Sequence, residues 1–259
     1  MTNPLIEQFS QECKDRASGY PGTQIAQAAS AFMRASTVPK YSYNFTWMGR
    51  PIIQYPQDMI AVQEIMWEVK PDLVIETGIA HGGSLIMSAS LLAMLEYCDA
   101  ANTGQTINPA KPTSKVLAID IDIRDHNREA IEAHPMSNRI QMIQGSSVDQ
   151  GIVDQVRSIA KDYKRVLVCL DSNHTHDHVL DELKAYAPLV TSGSYCIVFD
   201  TIVDDVPTDM YPDRSWGPGN SPKSALREYL GDHKEFAIDT AVDNKLLISV
   251  APHGYLKRN

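Results

Sequence analysis

The chain has 259 residues, 43% of them apolar. This suits one sizeable core and excludes a disulfide-stapled mini-protein or a low-complexity chain. Acidic residues outnumber basic ones 32 to 23, for a formal charge of −9, which argues against a nucleic-acid partner. Cys13, Cys98, Cys169 and Cys196 show no C-x-x-C spacing. With no apolar leader at the N-terminus, they point to a reducing, cytoplasmic compartment.

Residues 1–40 read as an N-terminal helical arm, in which two helical stretches flank Gly19-Tyr20-Pro21-Gly22. Such arms often pack on a neighbouring subunit, so a homo-oligomer is expected. Residues 41–259 read as one catalytic domain. Tyr41, Tyr43, Phe45 and Trp47 alternate with polar residues, which suggests a short strand. Asp58 is placed to cap the next helix, whose apolar face is Val62, Ile65, Met66 and Val69 and which Pro71 stops. Short apolar runs at 73–75, 115–119, 140–143, 165–170 and 194–198 then alternate with helical segments. That alternation implies βαβ units and a parallel sheet. The longest apolar stretch, 84–95, is too short to span a bilayer. In the tail, 236–238 and 246–250 lie too close for an intervening helix of ordinary length and read as an antiparallel hairpin. A mostly parallel α/β sheet completed by a C-terminal antiparallel hairpin looks like the Rossmann-like fold of class I methyltransferases, which bind S-adenosylmethionine (SAM).

The candidate chemistry lies where strands end. Glu76 closes the first parallel strand, and Gly78, Gly82 and Ser84 lead into a helix. Glycines there let a ligand approach the backbone, but the G-x-G-x-x-G spacing of a pyrophosphate site is absent. SAM carries an ammonium and a sulfonium, so an acid at this point suits SAM better than a dinucleotide. Asp120 follows the second strand, where a carboxylate accepts ribose hydroxyls or simply caps a helix. After the third strand Ser147 is either an adenine contact or part of a turn. Asp171 and Asp200 end the fourth and fifth strands at the ligand-binding edge, and two carboxylates there suit Mg²⁺, with a cap and a loop acid as the plain alternative. His174, His176 and His178 sit at alternate positions after Asp171. They suggest either a histidine metal site, hence a metal-dependent hydrolase, or the exposed start of a helix. The long segment 201–221, with Tyr211 and Trp216, reads as a lid over a substrate.

Taken together, 49–51, 54–58, 71–84, 120–122, 171–179, 199–201, 216–222 and 251–257 resemble the cephalosporin hydroxylase / rhamnosyl O-methyltransferase family of class I SAM-dependent enzymes. The resemblance runs from about residue 41 to the C-terminus. It implies SAM at the 76–84 loop and Asp120, and a divalent cation near Asp171 and Asp200. Two departures are visible. Phe199 stands where some relatives carry Glu, leaving a third ligand to Thr201, Asp204 or water. Ala80 holds the central position of the glycine loop. The expected activity is Mg²⁺-dependent O-methylation of a small-molecule hydroxyl acceptor, a sugar or other secondary metabolite. Asp171 is expected as a catalytic residue and a metal and cofactor contact, and His174 is the candidate general base, since a neutral imidazole near pH 7 can take the hydroxyl proton. A member that binds SAM without turnover is the remaining alternative.

Overall fold

The structure, a computed structural model, describes residues 3–259. Helices α1 (Pro4–Ser18) and α2 (Gln24–Thr37) form the arm. The Asn3 side chain accepts the Leu5 amide and starts α1. Ser36 ties α2 to the body through a 2.7 Å hydrogen bond with the Tyr55 hydroxyl. The aromatic alternation at 41–47 divides in two. Tyr41–Asn44 forms a 3-10 turn, closed by Asn44 Nδ2 donating to the Tyr41 carbonyl. Only β1 (Phe45–Trp47) is extended, and it pairs with β2 (Arg50–Ile52).

The main sheet comprises β3 (Leu73–Thr77), β4 (Lys115–Asp120), β5 (Ile140–Gln144), β6 (Val166–Leu170), β7 (Tyr195–Val198), β8 (Phe236–Ile238) and β9 (Tyr255–Arg258). Their order is β5-β4-β3-β6-β7-β9-β8. The first five are parallel, and β9 runs antiparallel to both of its neighbours. The connecting helices are α3 (Pro56–Val69), α4 (Gly83–Thr103), α5 (Asp125–Glu132), α6 (Gln150–Ala160), α7 (His176–Tyr186), α8 (Pro222–Asp232) and α9 (Thr240–Leu246).

The strands are apolar almost throughout because both faces of the sheet are covered. Val74, Val116, Ala118, Leu167 and Ile197 pack on one side with residues of α3 and α4. The alternate residues Ile75, Leu117, Val168 and Val198 pack on the other with α6, α7 and α8. Glu76 shares the parity of Val74, so its side chain emerges on the α3/α4 side. Helix α4 is long and apolar enough to cross a membrane by length and composition. Its place here is the crossover from β3 to β4, with residues 85–90 buried against the sheet.

The tail differs from expectation in its second strand. Residues 246–250 are not extended; α9 lies between the strands, and β8 pairs instead with β9. Asp239 starts α9 by accepting the Ala241 amide. The backbone at Val250 donates to Asp58 Oδ2 at 2.9 Å rather than to a ladder. Asp58 is therefore not the cap: it lies within the first turn of α3, fully buried, and also accepts from the Ser249 and Tyr255 hydroxyls. Helix α8, which hydrophobic periodicity did not bring out, starts at a reciprocal Ser221–Ser224 capping box behind Pro222.

Candidate active site

In the sheet order the chain leaves β3 toward β4 on one side, while β6 lies on the other. The carboxyl ends of β3 and β6 therefore border the crevice where open α/β sheets bind ligands. Glu76, Asp171 and Asp200 all sit at this edge. Gly78 makes the close approach possible. It adopts φ +89°, and a Cβ there would stand 2.1 Å from the Asp171 carbonyl oxygen. Gly82 (φ +80°) has no room for a Cβ beside Ile131. Ala80 takes the left-handed path, φ +45°, in place of a glycine.

The loop is held at successive residues. Ile79 N donates to Asp120 Oδ2 at 2.7 Å, Asn127 Nδ2 to the Ala80 carbonyl at 2.8 Å, and Arg50 Nε to the His81 carbonyl at 2.9 Å. Arg50 also reaches Asn127 Oδ1. Asp120 spends its second oxygen on the Asp122 amide, and a carboxylate with about four lone-pair sites keeps capacity for hydroxyls. Ser147 lies apart from this loop. Its hydroxyl is 3.1 Å from His178 Nε2, and Tyr186 donates to its carbonyl.

Glu76 is buried and receives the Ser84 hydroxyl. Burial pushes its carboxyl up to about 7 against that bond's opposing pull. Asp58 is likewise raised by burial, to about 6, although three hydrogen bonds oppose the shift. Asp171 is raised well above the usual carboxylate range, first by burial and then by Asp200, Glu76, Glu182 and Asp58. Acids crowded together at a strand edge are the electrostatic profile of a functional site, and a cation placed there would relieve them. Asp171, His174 and Asp200 place their ligating atoms within 4.8 Å of one another. His174 Nε2 is 3.1 Å from Asp200 Oδ2. Phe199 is buried beside Asp171, Thr201 donates its hydroxyl to the Pro252 carbonyl, and Asp204 is taken up by Gly219, Ser221 and Arg227. Neither Thr201 nor Asp204 is turned toward the cluster.

The three histidines diverge, which removes the expected alternative of a histidine metal site. His176 starts α7 and bonds Ser224 and Glu228 of α8. His178 joins Ser147 and Ser172. His174 precedes α7, whereas His176 and His178 lie two residues apart in its first turn, so the three rings reach different neighbours and only His174 meets Asp171 and Asp200. Trp216 meets the His174 ring edge-on at 5.4 Å, and Tyr211 meets Trp216 at 4.8 Å, so 201–221 folds back over this point. Sequence reasoning did not single out Arg50, Gln54 or Asn127 as site residues. Gln54 donates to Asp171 at 3.3 Å across 117 residues of chain, a proximity with no local signal.

The Rhamnosyl O-methyltransferase/CmcI family model matches residues 39–259. A rhamnosyl O-methyltransferase of Mycobacterium leprae (strain TN) is 31% identical over 214 residues, covering 82% of each chain. One from Mycobacterium tuberculosis (strain ATCC 25618 / H37Rv) is 30% identical over 218 residues, 83% of this chain and 78% of that one. A solved CmcI structure with Mg and SAM superposes with a TM-score of 0.54 at 20% identity, covering 84% of this chain and 77% of the other. A CmcI structure with SAH gives 0.54 at 21% identity, covering 83% and 82%. At that identity the structures speak for the fold, while the family model and the curated relatives carry the assignment: the chain belongs to the Rhamnosyl O-methyltransferase/CmcI family of SAM-dependent O-methyltransferases.

Proposed function

We propose that the protein methylates a hydroxyl of a sugar or related secondary metabolite with the help of a divalent cation, Mg²⁺, held by Asp171 and Asp200. The observation that carries this reading is the meeting of Asp171, His174 and Asp200 beside the 76–84 loop. Two carboxylates, with other positions left to water and acceptor oxygens, form a donor set that suits Mg²⁺. SAM supplies a methyl group activated on sulfonium, and a bound cation supplies charge that favours the ionised acceptor hydroxyl.

The chain's own residues do the rest. Glu76, Gly78, Gly82, Ser84, Asp120, Ser147 and Asp171 are assigned to the cofactor, Asp120 through its remaining lone pairs. His174 receives the proton that leaves the acceptor oxygen as the new O–CH₃ bond forms. Asp200, bonded to its Nε2, orients the ring and stabilises the imidazolium. Tyr211 and Trp216 offer aromatic faces to a sugar ring and exclude water above His174. The names of the mycobacterial relatives support a sugar acceptor. The four unpaired cysteines fit a cytoplasmic setting, and the arm fits a homo-oligomer.

Calorimetric titration of SAM with and without Mg²⁺, followed by transfer assays on a panel of rhamnosides, tests the reading. SAM binds, transfer stops with a chelator and resumes with Mg²⁺, and Asp171→Asn lowers kcat by roughly 100-fold or more. Chelator-insensitive transfer overturns the metal role. Absence of SAM binding overturns the cofactor assignment, and binding without transfer to any sugar hydroxyl favours the non-catalytic alternative.

A further inference from the structure

Gln54 lies between β2 and α3, 6% exposed. With Asp58, Glu76, Ser84 and Asp171 it lines a pocket whose free volume is about 20 Å³, room for one water-sized group. Its amide NH₂ donates to Asp171 Oδ2 at 3.3 Å. The amide is placed with Nε2 toward Asp171 and Oε1 on its other side, the orientation that suits Asp171 once a bound cation holds it ionised. Oε1 is buried and meets no donor among the described residues. Buried carbonyl oxygens are rarely left so.

The neighbouring groups cannot supply the donor. The Ser84 hydroxyl proton is spent on Glu76. Asp58 is occupied by Ser249, Val250 and Tyr255. Glu76 and Asp171, when ionised opposite a cation, are acceptors themselves. Set among Met59, Val62, Met87, Cys169 and Phe199, the polar part of this pocket is mainly three carboxyl groups and an amide, and it suits a cation that carries several N–H bonds. A sulfonium has none, whereas a primary ammonium has three. The segment that delivers Gln54 is fastened to the cofactor loop: Arg50 grips the His81 carbonyl, and the Pro51 carbonyl packs so closely on Gly83 that a Cβ there would stand 2.2 Å away.

We infer that Gln54 Oε1, together with Glu76, receives the α-ammonium group at the amino-acid end of the methyl donor, so that segment 50–58 takes part in selecting the cofactor. This rests on the SAM reading above. Two ligands separate the contributions: S-adenosylhomocysteine (SAH) and 5′-methylthioadenosine share the adenosine and the thioether, and only SAH carries the ammonium. Gln54→Met keeps the side-chain volume and removes the acceptor. By calorimetry, Gln54→Met binds SAH roughly 10- to 100-fold more weakly and 5′-methylthioadenosine as wild type does. Unchanged SAH binding in Gln54→Met overturns the inference and leaves the pocket to a water. Equal weakening of both ligands also overturns it, because the loss is then not at the ammonium. Wild-type protein that binds neither ligand overturns the cofactor reading and this inference with it.

Discussion

Glu76 is an acid with 4% of its surface exposed, at the end of a strand that is otherwise apolar but for Thr77. Burial raises its pKa from 4.5 to about 7. A group raised in the folded state contributes stability that is fully present below the unfolded value and lost as pH rises through the folded value. In the ligand-free protein Glu76 therefore costs stability progressively between about pH 4.5 and 7. Glu76→Gln removes that cost. The variant gains stability over wild type at pH 8 relative to pH 5, on the order of 2–3 kcal/mol, while SAM binding weakens. Thermal unfolding at the two pH values checks the first outcome and calorimetry the second; an equal difference at both pH values would sink it. The acid and the glycines were legible in the sequence because they end a strand. The reason for Gly78 was not: it clears the backbone of Asp171, 93 residues on.

Among the elements, segment 201–221 shows how a long loop is held with little regular structure. Asp204 accepts from Gly219 N (2.8 Å), the Ser221 hydroxyl (2.8 Å) and Arg227 (2.9 Å), joining the two ends of the loop. Lys223 bonds Asp205, and Asn220 receives the His176 amide. Asp204→Ala leaves these donors unpaired and loosens the loop. Limited trypsin digestion cuts at the exposed Arg214 several-fold faster in the variant, and the acceptor KM rises several-fold while SAH affinity is unchanged. Unaltered cleavage would show that the loop is held from elsewhere. The loop was visible as an over-long polar segment. Residues 246–250 carry a strand-like apolar run, yet Asp58 captures the backbone at Val250, and α9 fits in the space that the hairpin reading had closed. Long-range hydrogen bonding overrode local propensity.

At the scale of the whole molecule, the arm rests on the body through α1 on α9 and leaves Leu5, Ile6 and Phe9 exposed at 74%, 63% and 62%. With the homo-oligomer proposed above, these residues seat on a second copy. The triple change Leu5→Ser, Ile6→Ser, Phe9→Ser then lowers the particle mass by light scattering, with unfolding of the protomer within about 0.5 kcal/mol of wild type, since surface changes seldom cost more. An unchanged mass would place the interface elsewhere or nowhere. Local pattern alone determined the α/β alternation, the acids at the strand ends and the family, because periodicity and strand-end chemistry are written within a few residues. Tertiary structure decided which histidine joins Asp171 and Asp200, what holds the glycine loop, and that Gln54, beside Asp171, keeps a buried oxygen without a partner among the described residues. Those are meetings of residues far apart in the chain, and a linear pattern carries no distance between them.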